Sequence, residues 1–93
     1  MYKELETFDV AKYLDSQEVI AEYLSQILAD GDLDELMLAI GEIAKAKGMI
    51  QVAKDTGLGR ESLYKSFGVG AKPRFDTVVK VLNSLGIRLE AVA

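Results

Sequence analysis

Apolar residues recur at intervals of three and four along most of the 93-residue chain, and this spacing predicts a series of amphipathic helices. One long run covers residues 19–28 and ends before Gly31, and a second covers residues 36–44 and ends before Gly48. Each run follows an acidic pair in capping-box spacing, in which the first side chain accepts hydrogen bonds from free amides of the first turn. The two pairs are Asp15 with Glu18 and Asp32 with Glu35.

The pattern is weaker toward both ends of the chain. Residues 1–7 have no clear period, whereas residues 8–14 predict a short helix with Asp9 as its N-cap and with Val10, Ala11 and Leu14 on one face. After Pro73, an apolar stripe from Phe75 to Leu85 predicts a final helix. Beyond Gly86 the apolar residues alternate with polar ones over residues 87–92, which predicts a short strand that must find a partner.

The stretch MIQVAKDTGLGRESLYKSFG, residues 49–68, combines two short helical patterns across a glycine, in the spacing of a helix-turn-helix. Val52 and the small Ala53 would face inward, and Ala53 would allow the second helix to cross closely. Gly57 would adopt the left-handed conformation that ends the first helix, with Leu58 packed beneath the turn. Leu63 would then face back toward the first helix.

The outward positions of this stretch are candidate DNA-binding residues. They are Gly59, Arg60, Glu61, Tyr64 and Lys65 in the second helix and its start, with Gln51 in the first. Arg60 is the best candidate for reading a guanine edge, because its planar group can bind two acceptors at once, and Lys65 is expected to meet phosphate. The alternative is a pair of packed helices whose charged residues are merely solvated.

Charge is distributed unevenly along a chain whose net charge is -4. Residues 1–43 carry two lysines against eleven carboxylates, a net charge of -9, whereas residues 44–93 carry nine basic residues against four carboxylates, a net charge of +5. A basic surface around the candidate motif suits a phosphate backbone, and an acidic half suits a basic protein partner.

Composition disfavours most enzyme chemistry and metal binding. The chain has no cysteine and no histidine, which excludes disulfides, cysteine-type zinc sites and histidine bases, so we expect no catalytic site and no cofactor. Asp30, Asp32 and Asp34 alternate like the start of a calcium loop, but Glu35 and Gly41 stand where that loop needs glycine and glutamate. No apolar run is long enough for a membrane span and no targeting peptide is evident, so we expect a cytoplasmic protein.

The segments FDVAKYL, IGEIAKAKGMIQVAKDTGLGRESLYKSF and PRFDTVVKVLNSLGIRL together resemble the HigA-like addiction-module antidote proteins of bacteria and prophages, from Phe8 to Leu89. The resemblance implies an all-α, lambda-repressor-like helix-turn-helix bundle of about five to six helices. It also implies an antitoxin that neutralises a RelE/ParE-like toxin and represses its own operon. Two positions depart from the family, which usually has threonine at Ile50 and serine at Gly59. Gly59 offers no hydroxyl to a phosphate, so weaker DNA binding is expected.

We therefore expect a single domain with three parts: acidic N-terminal helices in residues 1–43, a helix-turn-helix core in residues 44–86, and a C-terminal strand or tail in residues 87–93. The expected partners are double-stranded operator DNA, a cognate toxin and a second copy of the chain. Two surfaces compete for the toxin, the C-terminal segment and the acidic residues Asp15, Glu18, Glu22, Asp30, Asp32 and Asp34. The alternatives are a stand-alone prophage or chromosomal transcriptional regulator without a toxin, and a helical interaction module that binds no nucleic acid.

Overall fold

The computed structural model describes residues 16–93, and within them the fold is all-α with five helices. In chain order these are α1 (Gln17–Asp30), α2 (Leu33–Lys47), α3 (Met49–Thr56), α4 (Arg60–Ser66) and α5 (Phe75–Ser84). The predicted helix over residues 8–14 lies outside the described residues. None of the helices in residues 16–93 is long and apolar enough to cross a membrane.

Helices α1 and α2 form a hairpin whose ends follow local rules. Ser16 is the N-cap of α1 and its Oγ accepts a hydrogen bond from the Val19 amide at 3.1 Å, while the cap predicted at Asp15 lies outside the described residues. Gly31 ends α1 in the left-handed conformation, with φ of 82°. The predicted cap of α2 is confirmed, because Asp32 Oδ1 accepts from the Glu35 amide at 3.0 Å.

One buried core joins all five helices. The apolar stripes of the helices form its centre, and the largest fully buried side chains are Ile40, Val52, Leu63 and Val81. Helix α3 packs on α2, α4 and α5, so it lies at the middle of the bundle. The Lys47 ammonium of α2 donates a hydrogen bond to the Ser84 carbonyl at the end of α5, which ties these two helix ends together.

Gly41 in α2 allows a close approach between α2 and the end of α4. A Cβ atom at this position would lie 2.9 Å from the Phe67 Cβ and 3.1 Å from the Phe67 carbonyl oxygen. Both distances are shorter than carbon normally tolerates, and Phe67 is itself buried. A glycine is therefore required here for space, and it sets the position of the residue that ends α4.

The C-terminal residues depart from the sequence prediction. Ile87 is buried and its amide donates to the Leu82 carbonyl at 2.9 Å, so the chain folds back onto α5 directly after Gly86. The strand predicted over residues 87–92 is wrong for this structure, since residues 87–93 form no strand. Strand hydrogen bonds need a neighbouring strand, and residues 16–93 contain none.

Candidate nucleic-acid interface

The turn between α3 and α4 is fixed by backbone conformation and by one hydroxyl. Gly57 has φ of 76°, as predicted, and its amide donates to the Ala53 carbonyl at 2.9 Å. The Thr56 hydroxyl donates to the Val52 carbonyl at 2.8 Å and accepts from the Leu58 amide at 3.2 Å. Thr56 therefore connects the last turn of α3 to the turn, a role that the sequence patterns did not reveal.

The inward residues of the two helices lie as predicted. Val52 and Leu63 are buried, and Ala53 and Leu58 are half-buried against the same core. Gly59 precedes α4 in an extended conformation, with φ of -71° and ψ of 143°, and its carbonyl accepts from the Leu63 amide at 3.0 Å. This arrangement is consistent with the helix-turn-helix register and leaves the opposite side of α4 facing solvent.

That solvent-facing side carries four of the candidate DNA-binding residues. The exposed side chains on α4 include Arg60, Glu61, Tyr64 and Lys65. Their spacing places them on one stripe of the helix, with Arg60 and Glu61 in the first turn and the other pair one turn later. A stripe of this kind can present hydrogen-bond donors, an aromatic ring and a positive charge to a single groove. Binding of DNA to this stripe of α4 stays a prediction.

Gln51 and Gly59 stand apart from the stripe. Gln51 is exposed on α3, where its side-chain amide donates to Asp55 Oδ1 at 2.8 Å, so contact with a ligand requires that this bond be exchanged. Gly59 makes no side-chain cap, because it has no side chain, and it presents only backbone at the start of α4. The structure therefore brings four of the six predicted residues together on α4, while Gln51 lies on α3 and Gly59 precedes α4.

Lys45 is a further basic residue of this surface. Its ammonium lies 5.9 Å from the centre of the Tyr64 ring and 3.3 Å from Glu42 Oε2, and its side chain is half-exposed. A positive charge in the last turn of α2 is favourable for the helix dipole, and no local sequence pattern connects Lys45 with α4. The fold places its charge over the ring of a candidate contact residue.

The acidic residues of α1 and of the α1–α2 turn also lie in solvent. Glu18, Glu22, Asp30 and Asp32 are exposed, and Asp34 is exposed but forms an ion pair with Lys72 at 3.0 Å. The acidic helices thus present a surface of their own, and one of its carboxylates is already partly compensated by a lysine from the basic half. Within residues 16–93 there is no cluster of acidic side chains that could hold a metal ion.

Comparison with known proteins finds a family match over almost the whole chain. Residues 4–93 match the model of a family described as "Probable addiction module antidote protein". An uncharacterized protein from Haemophilus influenzae is 40% identical over 90 residues, which cover 97% of this chain and 93% of that protein. No solved structure matches the chain.

Proposed function

Because the chain belongs to the family of probable addiction module antidote proteins, we propose that it is the DNA-binding antitoxin of a type II toxin–antitoxin module. In this proposal a homodimer binds a palindromic operator and represses the operon, and the same protein neutralises a RelE/ParE-like toxin. The observation that carries DNA binding is the exposed stripe on α4, held outward by the burial of Leu63 against Val52.

The roles of the stripe follow from chemistry and position. Arg60 is the first residue of α4, and the N-terminal residues of a recognition helix are those that reach base edges in the major groove. Its fork can bind two acceptors of guanine, a contact that discriminates by roughly 1–3 kcal/mol. Lys65 lies in the last turn of α4, where a compact positive charge suits a phosphate.

Electrostatics support this orientation. Residues 44–93, which include the stripe, carry a net charge of +5, and the Lys45 ammonium of α2 lies near the ring of Tyr64. Exchange of phosphate counterions for these side chains would make binding strongly dependent on salt. The acidic surface of α1 would be repelled by the same DNA, which leaves it available for a basic protein.

Titration of α4 variants with the DNA upstream of the gene, and with a scrambled duplex of equal length, tests the DNA-binding half of the proposal. Arg60→Ala should bind the two duplexes almost equally, whereas Lys65→Ala should weaken both and flatten the salt dependence by about one charge. Arg60→Lys is the matched control, because it keeps the charge and removes the fork. If Arg60→Ala and Lys65→Ala both retain wild-type affinity and preference, α4 does not read the operator.

The antitoxin half is tested with the product of the neighbouring gene, where that gene encodes a small basic protein. Replacement of Glu18 and Glu22 by lysine should slow its association, because both side chains are exposed on α1 and reversal removes the attraction that guides encounter. Operator binding by the same variant should be unchanged or slightly stronger. Equal loss of both activities in a folded variant would show that toxin and DNA share one surface, and the absence of a toxin gene would favour a stand-alone regulator.

A further inference from the structure

An apolar surface lies beside the C-terminal tail, residues 87–93. A groove of about 580 Å³ opens there between α1, the start of α2, α5 and the tail. Leu33, Phe75 and Leu89 line this groove and are exposed, Phe75 by 74%. Exposed apolar patches mark protein interaction sites. The groove residues within 16–93 include none from α4, so a partner bound here leaves the α4 stripe free.

The backbone of the tail is open to pairing beyond its first residue. The Ile87 amide donates to the Leu82 carbonyl, whereas residues 88–93 make no backbone hydrogen bond within residues 16–93. All six of these residues are exposed and belong to no helix. A row of unpaired backbone amides and carbonyls is a template for pairing with another chain.

Two opposite charges flank Leu89 in the tail. Arg88 and Glu90 are exposed, and neither forms an ion pair within residues 16–93. A basic partner would be repelled by Arg88 and an acidic partner by Glu90. A second copy of the chain, placed antiparallel, offers each of these residues its opposite charge. Such self-complementarity is what a two-fold interface requires.

We propose that a second copy covers the groove, and that residues 88–90 of the two copies pair antiparallel about a two-fold axis at Leu89. Arg88 of each copy then lies opposite Glu90 of the partner subunit, and the two Leu89 side chains meet at the axis. Hydrogen bonds alternate along an antiparallel pair, so residues 88 and 90 exchange them and the Ile87 amide keeps its bond to Leu82. This surface deepens the homodimer of the proposed function and rests on that function only for the role of the dimer on DNA.

Charge also fixes the register of the two tails. An axis moved by one residue, to Arg88 or to Glu90, places like charges directly opposite each other, which destabilises the pair. An axis moved by half a residue places Leu89 opposite Glu90 or Arg88, which sets an apolar side chain against a charge. Among these five registers, only the axis at Leu89 pairs opposite charges with each other and leucine with leucine.

Charge reversal tests the interface in the full-length protein without DNA. Arg88→Glu and Glu90→Arg each create like-charge pairs at both contacts, so each should raise the dimer dissociation constant about ten-fold or more in sedimentation equilibrium. An equimolar mixture of the two variants should regain wild-type affinity, because every carboxylate at the axis then faces a guanidinium. Lys54→Glu is the matched control, since it makes the same charge change at an exposed site on α3 and should leave the dimer intact.

A thiol at the axis tests the register, because the chain has no cysteine of its own. Leu89→Cys should form a disulfide between copies under mild oxidation, since the two Cα atoms would lie about 4.5 Å apart, within disulfide range. Val92→Cys is the control. Its position is more exposed than that of Leu89, but the two copies of it would lie about 20 Å apart at a rise of roughly 3.3 Å per residue.

The outcomes separate this interface from the proposed function. Wild-type protein that stays monomeric, or a dimer that both reversals leave unchanged, would overturn the inference. A mixture that stays as weak as the single variants would refute the pairing of Arg88 with Glu90, and faster cross-linking of Val92→Cys would refute the register. A dimer that responds to both reversals but ignores the operator would keep this interface and refute the proposed function, whereas an operator-bound dimer that resists both reversals would do the opposite.

Discussion

Substitution of Gly41 tests whether close contact between α2 and Phe67 determines the stability of the bundle. An added Cβ would lie 2.9 Å from the Phe67 Cβ and 3.1 Å from the Phe67 carbonyl oxygen, so the end of α4 must move. Overpacking of this kind costs roughly 1–3 kcal/mol. Alanine is a better helix former than glycine by about 1 kcal/mol, which offsets part of that cost. The net effect of Gly41→Ala is a loss of stability of about 1 kcal/mol.

Thermal unfolding followed by circular dichroism measures this effect. A loss of about 1 kcal/mol lowers the melting temperature by roughly 4–8 °C in a domain of this size. Glu42→Ala compared with Glu42→Gly is the matched control, because Glu42 is the exposed neighbour of Gly41 in α2 and reports the helix preference alone. There alanine should melt higher than glycine. If Gly41→Ala also melts higher than wild type, the contact with Phe67 imposes no restraint and the reasoning is refuted.

Three further changes have defined outcomes. Ala53→Leu should lower the stability of the protein by roughly 1–3 kcal/mol, because the larger side chain overpacks the crossing of α3 and α4. An unchanged melting temperature would place Ala53 outside the crossing. Asp32→Ala should destabilise the protein by about 1 kcal/mol through loss of the α2 cap, while Asp32→Asn should retain most of the stability. Denaturant titration of the two variants measures the difference. Lys45→Gln should weaken operator binding and flatten its salt dependence by about one charge without lowering the melting temperature, and an unchanged slope would show that Lys45 meets no phosphate.

Features set by neighbouring residues were predicted well from the sequence. The α2 cap at Asp32, the end of α1 at Gly31, the left-handed Gly57, and the burial of Val52 and Leu63 all agree with the structure. Caps and glycine turns depend on backbone groups within three or four residues, and helix period determines which side chains share a face. For the same reason the exposed stripe on α4 was identifiable, although its DNA-binding role is a proposal.

The tertiary structure decided features that depend on residues distant in sequence. A periodic stripe shows which face is apolar but not how much of it a neighbouring helix covers, so Phe75 and Leu28 belong to the predicted apolar stripes and are nevertheless exposed. Alternation over residues 87–92 predicted a strand, but a strand forms only where a second strand offers hydrogen bonds, and residues 16–93 contain none.

Two contacts between α2 and the region of α4 also join separate helices. Lys45 in α2 lies over the ring of Tyr64 in α4, and Gly41 in α2 gives Phe67 the space to end α4 where it does. The sequence by itself determined the helices, their caps and the outward residues of α4, because these follow from interactions within one or two helical turns. Only the tertiary structure decided which residues of α2 meet α4 and which apolar residues stay uncovered, because these depend on how the helices pack together.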